Sequence, residues 1–116
     1  MVAAHIEFGK SGEDLAATWY RSNGFDVLDR NWHCSVGEID LVALRDRLLV
    51  VVEVKTRRTD AYGVPALAVT PSKQRRLRRL AACWLADNHF RRRVEVRFDV
   101  ASVVGDVVTI YQRAFE

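Results

Sequence analysis

Residues 36–55, VGEIDLVALRDRLLVVVEVK, contain two strand-like runs separated by a short polar segment. The runs Val36–Leu44 and Leu48–Lys55 are rich in valine and other apolar residues, as strands that are partly buried in a sheet are. The charged residues 45–47 between them are typical of a hairpin turn. We therefore predict an antiparallel hairpin, around which the rest of the chain is arranged.

The pairing of these two strands follows from a symmetric turn. Such a turn places Asp40 opposite Glu53 and Glu38 opposite Lys55, and the alternation of side chains puts these four charged residues on one face. The opposite face should carry the apolar residues of the hairpin, which are Ile39, Leu41, Ala43, Val50, Val52 and Val54.

The charged face of the hairpin predicts a metal site. Carboxylates directly opposite each other on a sheet have Cβ atoms about 5 Å apart and repel. Mg²⁺ or Mn²⁺ relieves this repulsion, because either ion binds carboxylate oxygens and waters. With Lys55 one pleat away to hold a water or a phosphate oxygen, Asp40 and Glu53 would suit phosphodiester hydrolysis. The alternative is an ordinary surface hairpin in which Lys55 pairs with Glu38 or Glu53.

Hydropathy patterns elsewhere in the chain predict two helices and further strands. With 116 residues, 49% of them hydrophobic, the chain is expected to form a single domain over residues 1–116. Ser11 is the candidate N-cap of the first helix, with Glu13 and Asp14 in its first turn. The predicted elements are a helix over residues 12–23, strands over 25–33, 36–44 and 48–55, a loop over 56–69, a helix over 71–87, and strands over 94–100 and 107–111.

Basic residues are concentrated in one part of the chain. Lys and Arg number 18 against 15 Asp and Glu, which gives a net charge of +3. Between Lys73 and Arg93 there are eight cations and one acid, Asp87. Most of the cations are arginines, whose planar guanidinium matches phosphate oxygens, so a polyanionic partner is the first hypothesis. The alternative is a solvated basic face.

No targeting or membrane-spanning segment is predicted. Apolar runs are shorter than the about 18 residues that a span needs, and the N-terminal segment carries acids where a signal peptide is apolar. Cys34 and Cys83 are far apart in the sequence, which argues against a disulfide framework or a zinc site. We therefore expect a cytoplasmic protein with no membrane partner.

Several stretches carry a resemblance that covers nearly the whole chain. They are GKSGEDLAATWY (9–20), RNWH (30–33), GEIDLVA (37–43), VVVEVKTR (50–57), YGVPALAVTPSKQRRL (62–77) and RFDV (97–100). In this order they resemble the YraN-like family of small bacterial proteins, which is similar to the PD-(D/E)xK nuclease superfamily and, within it, to Holliday junction resolvases. The resemblance implies an α/β, restriction-endonuclease-like fold, with a central mixed sheet flanked by helices.

The resemblance also implies roles for individual residues. Asp40 corresponds to the first metal carboxylate of the superfamily, and Glu53 and Lys55 correspond to its (D/E)xK pair. Glu13 matches the helix glutamate that completes the acidic cluster in resolvase-like members. Lys73 corresponds to the polar residue that some members add from a helix. The resemblance thus implies that Asp40, Glu53, Lys55 and Glu13 are the catalytic residues. Of these, Asp40, Glu53 and Glu13 would bind Mg²⁺ or Mn²⁺.

These observations leave three hypotheses for the function. The first is a Mg²⁺- or Mn²⁺-dependent nuclease that cuts DNA, with branched or structured DNA as a candidate substrate; a two-fold symmetric junction would favour a homodimer. The second is a module that binds nucleic acid without cleaving it. The third is a subunit whose basic face meets an acidic protein. In the first two, the candidate phosphate-binding residues are Arg57, Lys73, Arg75, Arg76 and Arg79.

Overall fold

Five strands form one mixed sheet in the part of the protein that the computed structural model describes, residues 8–57 and 69–115. Two helices accompany the strands in these residues. Neither is long and apolar enough to cross a membrane. The elements are α1 (Phe8–Ser22), β1 (Asp26–Cys34), β2 (Gly37–Arg45), β3 (Leu48–Arg57), α2 (Pro71–Asp87), β4 (Glu95–Val104) and β5 (Val107–Tyr111).

The strands lie in the sheet in the order in which they occur in the chain. β1, β2 and β3 form an antiparallel meander, β3 and β4 run parallel, and β4 and β5 are again antiparallel. A parallel pair needs a crossover connection, and α2 lies in that connection. α2 therefore runs back along the sheet, from the C-terminal end of β3 towards the N-terminal end of β4.

Each face of the sheet is covered by one helix. α1 buries Ala17 and Tyr20 on one face, against Val50 of β3. α2 buries Leu80 and Trp84 on the opposite face. The chain therefore has a small α/β fold in which a five-stranded mixed sheet lies between two helices in the described residues, as the expected central mixed sheet with flanking helices requires.

The hairpin predicted from residues 36–55 is present. β2 and β3 pair from Arg45↔Leu48 to Leu41↔Val52, which is the predicted register. The turn between them contains Asp46, whose φ of 55° lies in the left-handed region that aspartate tolerates. The position of the turn and the pairing that it sets are therefore confirmed over this part of the ladder.

The prediction that Ile39 shares a face with Leu41 is wrong. Leu41 packs with α1, whereas Ile39 packs with α2. The alternation along β2 breaks at Asp40, because the β1–β2 ladder has no pair between Arg30↔Leu41 and Trp32↔Ile39 and the β2–β3 ladder ends at Leu41↔Val52. Without ladder hydrogen bonds to either neighbouring strand, the backbone at Asp40 is not held to the regular pleat, so Ile39 and Leu41 need not share a face. This irregularity lies beside the candidate site.

The second helix has the predicted bounds, but the first does not. Thr70 Oγ1 accepts a hydrogen bond from the backbone N–H of Lys73 and caps α2. α1 begins at Phe8, so Ser11 lies inside the helix and does not cap it. No acidic residue lies in the first turn of α1, and Glu13 belongs to a later turn. A serine cap contributes only about 1 kcal/mol, which is too little to set the start of a helix by itself.

Two strands are longer than predicted. β3 continues to Arg57 and β4 to Val104, and the two strands pair in parallel along their whole length. Each strand supplies hydrogen-bond partners for the other, so β3 continues through the polar residues Thr56 and Arg57 opposite the apolar end of β4. The predicted loop over 56–69 therefore begins later than expected, and its residues 58–68 lie outside the described residues.

A buried hydrogen-bond network joins α1, β4 and the C-terminal segment. Asp99 is 2% exposed, and its Oδ2 accepts a hydrogen bond from the Tyr20 hydroxyl at 2.6 Å. The Arg97 guanidinium donates to both carboxylate oxygens at 2.9 Å, and the backbone N–H of Arg113 donates to Oδ1 at 3.2 Å. Burial, together with the charge and the hydrogen bond of Asp99, raises the pKa of Tyr20 well above its usual value. Asp99 is therefore a buried charge with well-placed partners.

Candidate active site

Asp40 lies where β2 and β3 separate. The ladder between these strands ends at Leu41↔Val52, so the predicted pairs Asp40↔Glu53 and Glu38↔Lys55 are not formed. Beyond this point Asp40 Oδ2 accepts a hydrogen bond from the backbone N–H of Val54 at 2.8 Å. Because a carboxylate here replaces a carbonyl as the acceptor, the strands diverge without leaving the Val54 amide unpaired. The same hydrogen bond holds the Asp40 side chain in one direction.

The surroundings of Asp40 make its ionisation costly. Its pKa is raised from 3.8 to about 6, first by burial and then by the charges of Glu13, Glu38 and Glu53. The hydrogen bond from Val54 opposes this rise in pKa. Asp40 is therefore close to three other carboxylates, and a cation beside it would stabilise its ionised form.

Two lysines contact the same oxygen of Glu53. Lys73 Nζ, from α2, lies 2.6 Å from Glu53 Oε1, and Lys55 Nζ lies 3.5 Å from it. The other oxygen, Oε2, is buried and has no hydrogen-bond partner among the described residues. A buried carboxylate oxygen without a donor is costly, so a cation near this atom would be stabilised. The expected repulsion between Asp40 and Glu53 is thus reduced, but not removed, by the lysines.

The position of Glu13 depends on a residue that the sequence analysis did not single out. The side-chain amide of Asn31 donates a hydrogen bond to Glu13 Oε1 at 2.9 Å and so ties β1 to α1. Beside it, Arg30 pairs with Asp14 at 2.6 Å. Asparagine adopts the left-handed conformation found at residue 31 more readily than most residues do. That property is the one signal in the sequence that could have indicated a special role for Asn31.

A cavity of about 290 Å³ is lined by residues of both signs of charge. The sheet contributes Asp40, Glu53 and Glu38, and α2 contributes Lys73 and Arg76. The Oε2 atom of Glu38 also lies 3.0 Å from Nε2 of His33, which is on β1. The cavity therefore combines acids that can bind a cation with cations that can bind a phosphate.

A second cavity, of about 600 Å³, lies beside the first and is basic. Arg75, Arg76 and Arg79 line it together with Ser72 and Ser35, and Arg76 lines both cavities. None of the three arginines forms an ion pair with a carboxylate in the part of the chain that the structure describes. Their charge is thus available to an anion from outside.

Other predicted site residues lie outside these two cavities. Both Glu13 and Lys55 nevertheless interact with residues that line the first cavity. The charge of Glu13 raises the pKa of Asp40, and Lys55 contacts Glu53. Arg57 ends β3, and it is not among the residues that line either cavity.

The acidic side chains of the first cavity suit a hard divalent cation. Mg²⁺ is commonly bound through one or two carboxylates, with waters completing its coordination, and Mn²⁺ accepts the same ligands. Asp40 and Glu53 supply two carboxylates, and Glu53 has an oxygen without a partner in the described residues. Within those residues, no group of three or more His, Cys, Asp or Glu side chains is arranged to hold a metal ion. A metal role for Glu13 thus stays a prediction.

Replacing Asp40 by asparagine is expected to stabilise the metal-free protein at high pH. The Asp40 carboxyl ionises near pH 4 in the unfolded chain and near pH 6 in the folded protein. The free energy of unfolding therefore falls as the pH rises through this window. The shift corresponds to at most about 3 kcal/mol, and to about 1–2 kcal/mol after allowing for solvent screening. Asparagine keeps an acceptor for the Val54 amide.

Thermal melts in EDTA at pH 4 and pH 8 provide the measurement. The melting temperature of Asp40→Asn should be clearly higher than that of the wild type at pH 8 and only slightly different at pH 4. Asp106→Asn, which changes an exposed aspartate in the β4–β5 turn, is the control and should show neither effect. A wild type more stable than Asp40→Asn at pH 8 would contradict the prediction.

Comparison with known proteins finds relatives over most of the chain. The model of a family described as "Uncharacterised protein family UPF0102" matches residues 12–103. A UPF0102 protein of Rhodococcus jostii (strain RHA1) is 50% identical over 105 residues, which are 89% of this chain and 86% of the relative. Another, of Arthrobacter sp. (strain FB24), is 49% identical over 98 residues, or 84% of this chain and 82% of the relative. The matched region contains all residues of the candidate site.

Proposed function

Since the chain belongs to the uncharacterised protein family UPF0102, whose description names no reaction, we propose from its site that it is a divalent-metal-dependent nuclease that hydrolyses DNA phosphodiester bonds. The observation that carries the proposal is the cavity in which Asp40 and Glu53 lie beside Lys73 and Arg76. A restriction-endonuclease-like arrangement of the sheet and helices is part of the same proposal, as the resemblance of the sequence implies.

The mixture of charges in this cavity favours cleavage over simple binding. Carboxylates facing a phosphate weaken its binding, because like charges repel. A protein that only binds nucleic acid therefore gains nothing from Asp40 and Glu53 beside Lys73. The same carboxylates would be useful if they held a cation, whose charge would offset that of the phosphate.

Each side chain of the site has a role in this proposal. Asp40 and Glu53 hold Mg²⁺ or Mn²⁺, with Glu13 as an assisting acid. An ion held there would supply Lewis-acid chemistry and would lower the pKa of a water that it binds. Lys73 holds Glu53 in position through their contact at 2.6 Å. Lys55 contacts Glu53 only loosely, at 3.5 Å, and is 40% exposed, so its ammonium is available to position a water or a phosphoryl oxygen.

The proposal is tested with purified protein in two measurements. Titration calorimetry with Mn²⁺ should show saturable binding that is lost in Asp40→Asn and in Glu53→Gln and kept in Asp106→Asn. Nicking of linear, flapped and four-way DNA should depend on the metal and be lost in the same two variants. A preference for four-way DNA would extend the proposal to branched substrates and to a homodimer. Cleavage that persists in both variants would remove the reaction from this cavity.

The contact between Lys73 and Glu53 favours one alternative, a nucleic-acid-binding protein that does not cleave. At 2.6 Å, Lys73 already provides Glu53 with a counter-ion. Under this alternative the wild type binds DNA but neither binds Mn²⁺ nor nicks any DNA. The calorimetry and the nicking assay therefore distinguish the two functions.

Replacing Arg75, Arg76 and Arg79 by glutamine is expected to make DNA binding weaker and less dependent on salt. Each phosphate that a protein neutralises contributes about 0.9 to the slope of log K against log salt. Loss of three contacts should lower that slope by about 2–3. The measurement is fluorescence anisotropy with labelled DNA over a range of salt concentrations.

Arg78 provides a matched control on the same helix. Its guanidinium lies 5.0 Å from the centroid of the Phe115 ring, and it does not line either cavity. Arg78→Gln removes a charge from α2 without removing one from the basic cavity, so affinity and slope should change little. An equal effect of Arg78→Gln would show that only the total charge of the helix matters.

A further inference from the structure

A second group of arginines lies at the other end of α2. Arg47, from the β2–β3 turn, and Arg92 and Arg93, from the segment between α2 and β4, line a cavity of about 420 Å³. We call these three residues the distal arginine site. The Arg92 guanidinium donates a hydrogen bond to the carbonyl of Asp46 at 3.0 Å, and the N–H of Glu95 donates to the carbonyl of Arg47 at 2.8 Å. The two segments are therefore fixed to each other.

The charge of the distal arginine site is not balanced locally. All three arginines are exposed. None of them forms an ion pair with an acidic side chain among the residues that the structure describes. Three cations held around one concavity repel each other, and this arrangement is stabilised when an anion enters it.

The distal arginine site and the candidate active site are about one helix length apart. α2 begins beside Glu53, as the contact of Lys73 shows, and the chain that follows α2 reaches the β2–β3 turn. The helix has 17 residues, which corresponds to about 25 Å. A DNA duplex rises about 3.4 Å per base pair, so this distance corresponds to about seven base pairs.

The surface around α2 favours a nucleic acid over a protein partner. Protein interfaces are built around buried aromatic and aliphatic anchors. The exposed large hydrophobic residues found in the described part of the chain are Leu28 on β1 and Val107 on β5. Neither lies on α2 or on the segments of the distal arginine site. What this surface offers is arginine, which suits the oxygens of a phosphodiester backbone.

We infer that the distal arginine site binds the phosphodiester backbone of a duplex arm that extends along α2 from the acidic cavity. The inference rests on the proposed function, because it takes the acidic cavity as the place of cleavage. It adds the substrate class: DNA with a duplex of at least about seven base pairs on one side of the scissile bond. A shorter duplex would reach only the basic cavity of Arg75, Arg76 and Arg79.

The test compares DNA hairpins with stems of about 5 and about 15 base pairs, bound to full-length protein in EDTA. The double variant Arg47→Gln/Arg93→Gln leaves Arg92 and its hydrogen bond to Asp46 in place. For the long stem, we expect its affinity to fall about tenfold and its salt slope to fall by about 2. For the short stem, affinity should match wild type. Arg21→Gln, on the opposite face of the sheet, is the control and should affect neither stem.

The outcomes separate this inference from the proposed function. Equal loss of affinity for both stems, or no loss for either, overturns the distal site while metal-dependent nicking by the wild type is unaffected. Length-dependent binding without nicking supports the distal site and overturns the nuclease proposal. A wild type that binds both stems equally, and binds an acidic polypeptide through Arg47 and Arg93, would assign the distal site to a protein partner and overturn the inference.

Discussion

Replacing Lys55 by methionine is expected to lower the rate of metal-dependent DNA cleavage by about 10²–10³-fold. In the proposed function the ammonium acts on the attacking water and on the charge that develops at the phosphoryl group, which is a contribution to the transition state. Its contribution to folding is small, because its contact with Glu53 is 3.5 Å long and its side chain is 40% exposed. Loss of such a pair costs about 1 kcal/mol or less.

Cleavage rates at saturating Mn²⁺ and DNA, with thermal melts alongside, measure both effects. Methionine keeps most of the length of the lysine side chain and removes its charge. Arg21→Met removes a cation from the exposed surface of α1 and should leave the rate unchanged. If Lys55→Met cuts DNA as fast as wild type, the lysine has no catalytic role, even in a protein that is a nuclease.

Replacing Arg97 by methionine is expected to destabilise the fold by about 3–5 kcal/mol. The side chain of Asp99 is 0% exposed and that of Arg97 is 11% exposed, so removing the guanidinium leaves a buried carboxylate whose remaining donors, the Tyr20 hydroxyl and the Arg113 N–H, are uncharged. A domain of this size has a total stability of about 5–15 kcal/mol. The variant should therefore unfold at a much lower urea concentration than the wild type.

Arg113 offers a control within the same network. It contacts Asp99 through its backbone N–H, while its side chain lies 3.9 Å from Glu95 at the surface. Arg113→Met keeps the backbone contact and should cost about 1 kcal/mol or less. The double variant Arg97→Met/Asp99→Asn, which also removes the buried charge, should regain part of the loss. An Arg97→Met variant no less stable than Arg113→Met would show that Asp99 does not need its ion pair.

The parts of the fold that local pattern determines could be predicted from the sequence. The hairpin register follows from a turn of two residues and from strands that alternate, and α2 follows from Thr70, Pro71 and the spacing of its apolar residues. The start of α1 could not be predicted, because a capping serine is a weak signal. The face of Ile39 was predicted wrongly because the ladders on both sides of β2 are interrupted at Asp40, where the regular alternation of side chains ends.

Contacts between distant segments could not be predicted. The hydrogen bond from Asn31 to Glu13 and the contacts of Tyr20 and Arg97 with Asp99 depend on how helices and strands meet in space. The unpartnered oxygen of Glu53 is likewise a property of packing. The candidate metal residues Asp40 and Glu53 could be named because neighbouring strands carry them, whereas the residues that orient or support them could not.

The contacts described above span very different lengths of chain, and this affects the order of folding. Asp40 and Val54 are 14 residues apart and meet through a hairpin, whereas Tyr20 and Asp99 are 79 residues apart. Short loops close at a lower entropy cost and faster than long ones, so we expect the hairpin to form before α1 is joined to β4. Asp40 and Glu53, which the two strands of the hairpin carry, would then already be close together in the folding transition state. A divalent cation that binds Asp40 and Glu53 should therefore accelerate refolding and change the unfolding rate little.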